Sequence, residues 1–203
     1  LYGAILGDLA GQPHEFPAKG GPRTNIQIHN PDSHFTDDTI MTLATAKCLI
    51  DGNYNFGKMY QIFGFKYQGD YYGKLFKEWI TSPPGTNLDS FGNGCLMRVS
   101  PIMYLEKSTR LPILLDSVLN SHRHEISIKS VMALNDEYNG EGLPFYTPVK
   151  PFKKFTSRAD DTIDFCVNLT QEISGTVNTI IKAIECGGDT DTNASICGEL
   201  SNY

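Results

Sequence analysis

Two short clusters of oxygen-bearing side chains hold the most suggestive chemistry in this chain. Thr36-Asp37-Asp38 sets a hydroxyl and two carboxylates directly ahead of the apolar residues Ile40, Met41, Leu43 and Ala44. At a non-helical cap such groups can converge on a hard cation, whereas deep inside a helix they would fan apart around its axis. The same residues also suit an N-cap followed by two acids that complement the helix macrodipole. Asp189-Thr190-Asp191-Thr192, behind Gly187-Gly188, repeats the pattern about 150 residues later. By itself it reads equally well as a tight turn with a capping acid. Together the clusters point to one oxygen-only site, which favours magnesium, calcium or manganese over zinc. Asp37, Asp38, Asp189 and Asp191 carry −4, which two divalent cations would balance. Without cations, packed carboxylates raise one another's pKa values or spread apart.

Further candidates surround these clusters. Asp8 lies on a small-residue helix face and Glu15 just past Pro13; taken alone each reads more readily as a surface acid, and only beside the other clusters as a carboxylate that approaches a metal site or a substrate hydroxyl. Ser90-Phe91-Gly92-Asn93-Gly94-Cys95-Leu96-Met97-Arg98 is a glycine-flanked turn entering a helix, where backbone N–H groups can receive phosphate oxygens. Arg98 assists there or serves as a structural ion-pair partner. His122 and His124 flank Arg123 ahead of another helix, and with no third soft ligand nearby they do not make a zinc site.

The elements that must position these groups read as helices. Leu1, Ile5, Leu6 and Leu9 fall at helical spacing over residues 1–12, with Gly3, Gly7 and Gly11 on another face. A glycine every fourth residue weakens a helix, so this one is expected to pack closely on a neighbour. Residues 20–31 read as loop, and a helix begins after Thr36 and stops at Asp51-Gly52-Asn53. The aromatic-rich stretch 56–80 is expected to be helical and 81–94 a long loop. Helices follow at roughly 95–106, 111–120, 126–138 and 160–172, with a polar excursion from Asn139 to Pro151. Ile173, Val177, Ile180, Ile181 and Ile184 form an apolar stripe that runs into the second acidic cluster, where a last helix begins.

The chain has 203 residues, 40% of them hydrophobic and 20% charged, enough for one sizeable core and too apolar for disorder. With no tandem repeat or linker, a single all-α domain over 1–203 is expected, trimmed at its termini because it opens at Leu1 inside a patterned segment. A net charge of −6 gives general nucleic-acid binding no electrostatic support. Apolar runs are far shorter than a bilayer span, so no membrane is expected. Five cysteines without a CxxC pair suit reduced thiols in an intracellular, most simply cytoplasmic, protein, and a monomer is expected.

In order along the chain stand GAILGDLAG with Glu15 behind it, FTDDT, SFGNGCLMR, SHRH and GGDTDT. This series resembles the ADP-ribosylglycohydrolase family, of the dinitrogenase reductase-activating glycohydrolase and ADP-ribosyl-acceptor hydrolase type. The likeness spans essentially the whole chain, and TDDT and GGDTDT are its most specific parts. It implies an all-α orthogonal helical fold with two magnesium or manganese ions at the base of an ADP-ribose cleft. By motif matching, Thr36, Asp37 and Asp38 bind one ion and Asp189, Asp191 and Thr192 the other, with Asp191 bridging. Glu15 matches a mobile acidic residue. Asp8, Ser90, Gly92, Asn93, Gly94 and Arg98 join the substrate-binding set, with His122 on the ribose side.

The implied reaction is metal-assisted hydrolysis between the anomeric carbon of the distal ribose and an acceptor, releasing ADP-ribose, with Glu15, Asp38 or Asp189 handling the proton. The substrates are ADP-ribosylated proteins or small conjugates. A non-catalytic ADP-ribose binder or crystallin-like structural relative would be expected to lose the motifs, which are retained here. A phosphohydrolase acting on the diphosphate would yield AMP and ribose phosphate instead. Relatives continue further after GGDTDT, and 139–160 departs from their pattern.

Overall fold

Helix α1 (Tyr2–Gly11) lies directly against α10 (Thr190–Leu200), and this contact joins the two ends of the chain. The structure is a computed structural model that describes residues 1–15, 21–142 and 147–201. A Cβ built on Gly3 would meet the carbonyl oxygen of Gly198 at 2.0 Å, one on Gly7 that of Ala194 at 2.1 Å, and one on Gly11 that of Thr190 at 2.4 Å. The glycine stripe is therefore the surface on which α10 rests, as its four-residue spacing predicts. Thr190 Oγ1 donates to the Gly11 carbonyl at 2.9 Å and fixes the register.

Between these helices run α2 (Asp37–Ile50), α3 (Phe56–Lys66), α4 (Lys74–Trp79), α5 (Gly94–Met97), α6 (Lys107–Leu119), α7 (Glu125–Tyr138), α8 (Ala159–Glu172) and α9 (Thr176–Cys186). Among the described residues there is no named strand, only the isolated bridges Asp89–His122 and Gly92–Arg158. The fold is all-α, as expected. No helix is long and apolar enough to cross a membrane, among the described residues. All five cysteines are free and buried, packed as small apolar groups.

Several expected helices have different bounds. The 56–80 stretch breaks in two because Gln68-Gly69-Asp70 and Gly73 interrupt it, and the turn between α3 and α4 swings Tyr71 and Tyr72 toward the centre of the molecule. The stretch 95–106 is a four-residue helix and a 3₁₀ turn (Ser100–Tyr104) entered through Pro101. Helix α6 starts four residues before the expected 111 and continues through Pro112, whose missing N–H leaves one rung of the ladder unmade. In α9 the buried face is Thr179, Ile180, Ala183 and Ile184, while Val177, expected in the stripe, is 48% exposed. The interior of the excursion between α7 and α8, at 143–146, and Gly20 of the expected 20–31 loop lie outside the described residues.

Candidate active site

The two acidic clusters meet. Thr36 caps α2, its Oγ1 accepting from the Asp38 N–H at 3.4 Å. Gly187 and Gly188, with φ of 78° and 79°, make the left-handed turn that brings Asp189 to the entrance of α10. Across the junction Thr192 Oγ1 donates to Asp38 Oδ2 at 3.0 Å, while within α10 Asp191 Oδ1 accepts from the Thr192 N–H at 2.9 Å. Asp38, Asp189, Asp191 and Thr192 are buried, whereas Asp37 is only partly so. All five residues line one cavity of about 500 Å³ together with Glu15.

Asp8 lies beneath this floor and does not line the cavity. Its Oδ1 accepts from Thr36 Oγ1 at 2.8 Å, and its Oδ2 from the Thr36 N–H at 2.9 Å, the Thr39 N–H at 3.1 Å and Thr39 Oγ1 at 2.6 Å. The expected contact with substrate is thereby replaced by a structural one, in which Asp8 ties α1 to the start of α2.

Glu15 sits on the 3₁₀ turn after α1, buried to 9% exposure. Arg23 holds that turn, donating through Nε to the His14 carbonyl at 2.6 Å and through Nη2 to the Glu15 carbonyl at 3.2 Å. Its own N–H donates to the Glu185 carbonyl at 2.9 Å, which anchors the clamp to the end of α9. Sequence reasoning missed Arg23, because a lone arginine in a loop carries no periodic signal.

Burial and mutual repulsion govern the charges here. Burial, then the charge of Asp191, pushes the Glu15 carboxyl up to about 9, and burial pushes Asp189 up to about 6. Asp37, Asp38 and Asp191 are raised well above the ordinary carboxylate range, first by burial and then by neighbouring acids. Among the described residues no ion pair reaches any of these carboxylates.

The donor set fits hard divalent cations. Asp8, Asp38 and Asp191 each offer an oxygen within 4.8 Å of the others, and so do Glu15, Asp189 and Asp191. Asp191 belongs to both groups, and Asp38 Oδ1 is buried with no hydrogen-bond partner. Such an oxygen is costly to bury unless something positive meets it.

The cavity wall is built by the 90–94 loop. Ser90 Oγ accepts from the Gly92 N–H at 3.1 Å, and the Ser157 carbonyl from the Asn93 N–H at 2.8 Å. These two amides are therefore engaged within the protein. Asn93 instead works through its side chain, Nδ2 donating to Asp189 Oδ2 at 2.9 Å and to Thr162 Oγ1 at 3.3 Å. His122 lines the wall beside Gly92 and Gly94, while Arg98 is wholly buried with its guanidinium on the Tyr60 ring. Aromatic residues to which sequence reasoning gave no role at the site complete the lining: Tyr71, Tyr72 and Phe155, with Phe91 of the 90–98 motif. Their scattered positions in loops gave no spacing to read.

The ADP-ribosylglycohydrolase family model matches residues 1–135, about two thirds of the chain. No curated protein sequence matches. A solved structure described as an ADP-ribosylglycohydrolase-related protein complex shares the fold at a TM-score of 0.70, covering 98% of this chain and 84% of its own, at 17% identity. The matched residues include α1 with its glycine stripe, the Thr36-Asp37-Asp38 cap, the 90–98 loop and His122. The chain belongs to the ADP-ribosylglycohydrolase family.

Proposed function

We propose that this protein is a metal-dependent hydrolase that frees ADP-ribose from an ADP-ribosylated protein or small conjugate. Membership of the family supports a glycohydrolase-type activity. The observation that carries the finer reading is the Thr192–Asp38 hydrogen bond, which joins acids from α2 and α10 at the floor of one cavity.

Thr36, Asp37 and Asp38 would hold one magnesium or manganese ion, and Asp189, Asp191 and Thr192 the other, with Asp191 shared. Bound there, the ions supply Lewis-acid polarisation and a fixed geometry for ribose hydroxyls and water. In the reaction the bond from the anomeric carbon to the acceptor breaks, a water oxygen bonds to that carbon, and the acceptor leaves with the electron pair and a proton. Glu15 would transfer the proton, since it borders the cavity, and its carboxyl hydrogen-bonds to Asp191 with no backbone donor to it among the described residues. Asp38 and Asp189, tied to Thr192 and Asn93, orient the water and sugar. Carboxylates close to the sugar also favour an oxocarbenium-like transition state.

Incubation with ADP-ribosylated arginine and serine conjugates, in magnesium or manganese and with EDTA, tests this reading. Chromatography should find free ADP-ribose, no product in EDTA, and loss of turnover in Asp191→Asn. Absence of hydrolysis on every conjugate with both metals defeats the proposal, and release of AMP would replace it with phosphohydrolase chemistry.

A further inference from the structure

Arg98 is a wholly buried cation that no carboxylate pairs with, among the described residues. Its guanidinium carbon stands 4.3 Å from the centroid of the Tyr60 ring, whose hydroxyl is in turn 2.8 Å from Thr45 Oγ1. Nη2 donates to the Ser117 carbonyl at 3.3 Å and to Ser121 Oγ at 2.8 Å. Tyr60 on α3 thus covers one face of the guanidinium, and its Nη2 meets Ser117 of α6, Ser121 and His122, while Nε has no hydrogen-bond partner among the described residues.

Ser121 Oγ is 2.8 Å from His122 Nδ1, and Arg98 Nη2 is 3.4 Å from the same nitrogen. A guanidinium can only donate, and a hydroxyl that accepts from it keeps its own hydrogen to give. Nη2 gives its two hydrogens to the Ser117 carbonyl and Ser121 Oγ, so the Ser121 hydroxyl is the donor that meets Nδ1, and the positive guanidinium 3.4 Å away disfavours a hydrogen on that nitrogen. The imidazole proton then belongs on Nε2. That nitrogen lies against the glycines of the cavity wall, 3.3 Å and 3.9 Å from where a Cβ on Gly94 or Gly92 would stand.

We infer that Arg98 and Ser121 are positioning residues that lock His122 as the neutral Nε2–H tautomer, so that it presents a hydrogen-bond donor to an oxygen of the bound ligand. The ligand's identity rests on the proposed function, but the tautomer does not. Burial and the Arg98 charge both hold the His122 pKa well below the ordinary value, which keeps the ring neutral. Asp89 stands opposite His122 at a backbone bridge, and Arg123 and His124 follow His122 in the chain.

Long-range ¹H–¹⁵N correlation spectra of the histidine-labelled protein, recorded from pH 5 to 8, test the inference directly. They should show His122 protonated on Nε2 and bare on Nδ1, with no titration down to pH 5. Ser121→Ala should mix the tautomers or move the titration upward, and weaken ADP-ribose binding about 3- to 10-fold, the worth of one hydrogen bond. In a His122→Ala background the same substitution should add less than about 2-fold, because it acts through the ring. An Nδ1–H tautomer in the wild-type protein, titration in the ordinary range, or an undiminished Ser121→Ala effect in that background overturns the inference. If Ser121→Ala does not fold, the wild-type spectrum still decides. The spectra need no turnover, so failed hydrolysis with the expected tautomer sinks the proposed function alone.

Discussion

A Cβ on Gly7 would stand 2.1 Å from the carbonyl oxygen of Ala194, backbone against backbone, and that closeness is what brings the acids of α10 to those of α2. Gly7 adjoins Asp8, which binds the first turn of α2, and Ala194 lies within one turn of Asp191. The approach of the two helices therefore sets the geometry of the acid cluster.

Gly7→Ala is expected to force the helices apart, since no rotatable side chain can yield at that contact. Overpacking of this kind costs about 1–3 kcal/mol. Urea denaturation should show it, and magnesium-induced stabilisation should weaken in parallel. Gly73→Ala, where an added Cβ meets nothing within 4 Å, should stay within about 0.5 kcal/mol of wild type.

Raised carboxyl pKa values carry a sign for stability. Glu15 at about 9 and Asp189 at about 6 lie above their ordinary values, and Asp37, Asp38 and Asp191 shift in the same direction. Groups whose folded pKa exceeds the unfolded one stabilise fully below the unfolded value, near 4, and lose that contribution as pH rises through the folded value. Thermal scans of EDTA-treated protein should accordingly show Tm falling between about pH 4 and 9. Magnesium or manganese should restore it most at the alkaline end, with proton release on binding. Asp38→Asn should raise the alkaline Tm in EDTA and abolish the metal response; a Tm that climbs with pH in EDTA contradicts this account.

Much of this was legible in the residues because close packing and capping leave local marks. The glycine spacing of α1 required a near neighbour, and Thr36-Asp37-Asp38 carried the marks of a helix start, with Thr36 as the cap. What the sequence did not reveal depends on contacts between distant segments. The burial of Asp8 under four hydrogen bonds, the turning of Arg98 toward Tyr60 and the Arg23 clamp each involve partners that no periodicity links. The 56–80 aromatics misled for a different reason, since aromatic residues pack as well beside a turn as along a helix, and the glycines outweighed them.

Asn93 orients Asp189 from across the cavity, and Asn93→Ala removes that donor while leaving the carboxyl buried. A hydrogen bond to a charged acceptor contributes roughly 1.5–3 kcal/mol. The variant should raise the Asp189 pKa and shift the acid limb of the kcat profile to higher pH, without disturbing the helical circular dichroism. An unchanged profile would remove Asn93 from the set of residues that tune the site.

On the proposed reading Glu15 transfers the proton while Arg23 holds the turn that carries it, and variants at the two positions separate these roles. Glu15→Gln preserves shape and hydrogen bonding but cannot release a proton, so kcat should fall roughly 10²- to 10⁴-fold with KM little changed, as for loss of a general acid or base. Arg23→Ala leaves the carboxyl intact and frees the turn from the His14 and Glu15 carbonyls. It should therefore lower kcat less than Glu15→Gln, and combining the two should cost little more than Glu15→Gln alone, since a misplaced amide and a well-placed one are equally inert. Additive losses in the double variant would mean that the Arg23 side chain acts apart from the placement of Glu15.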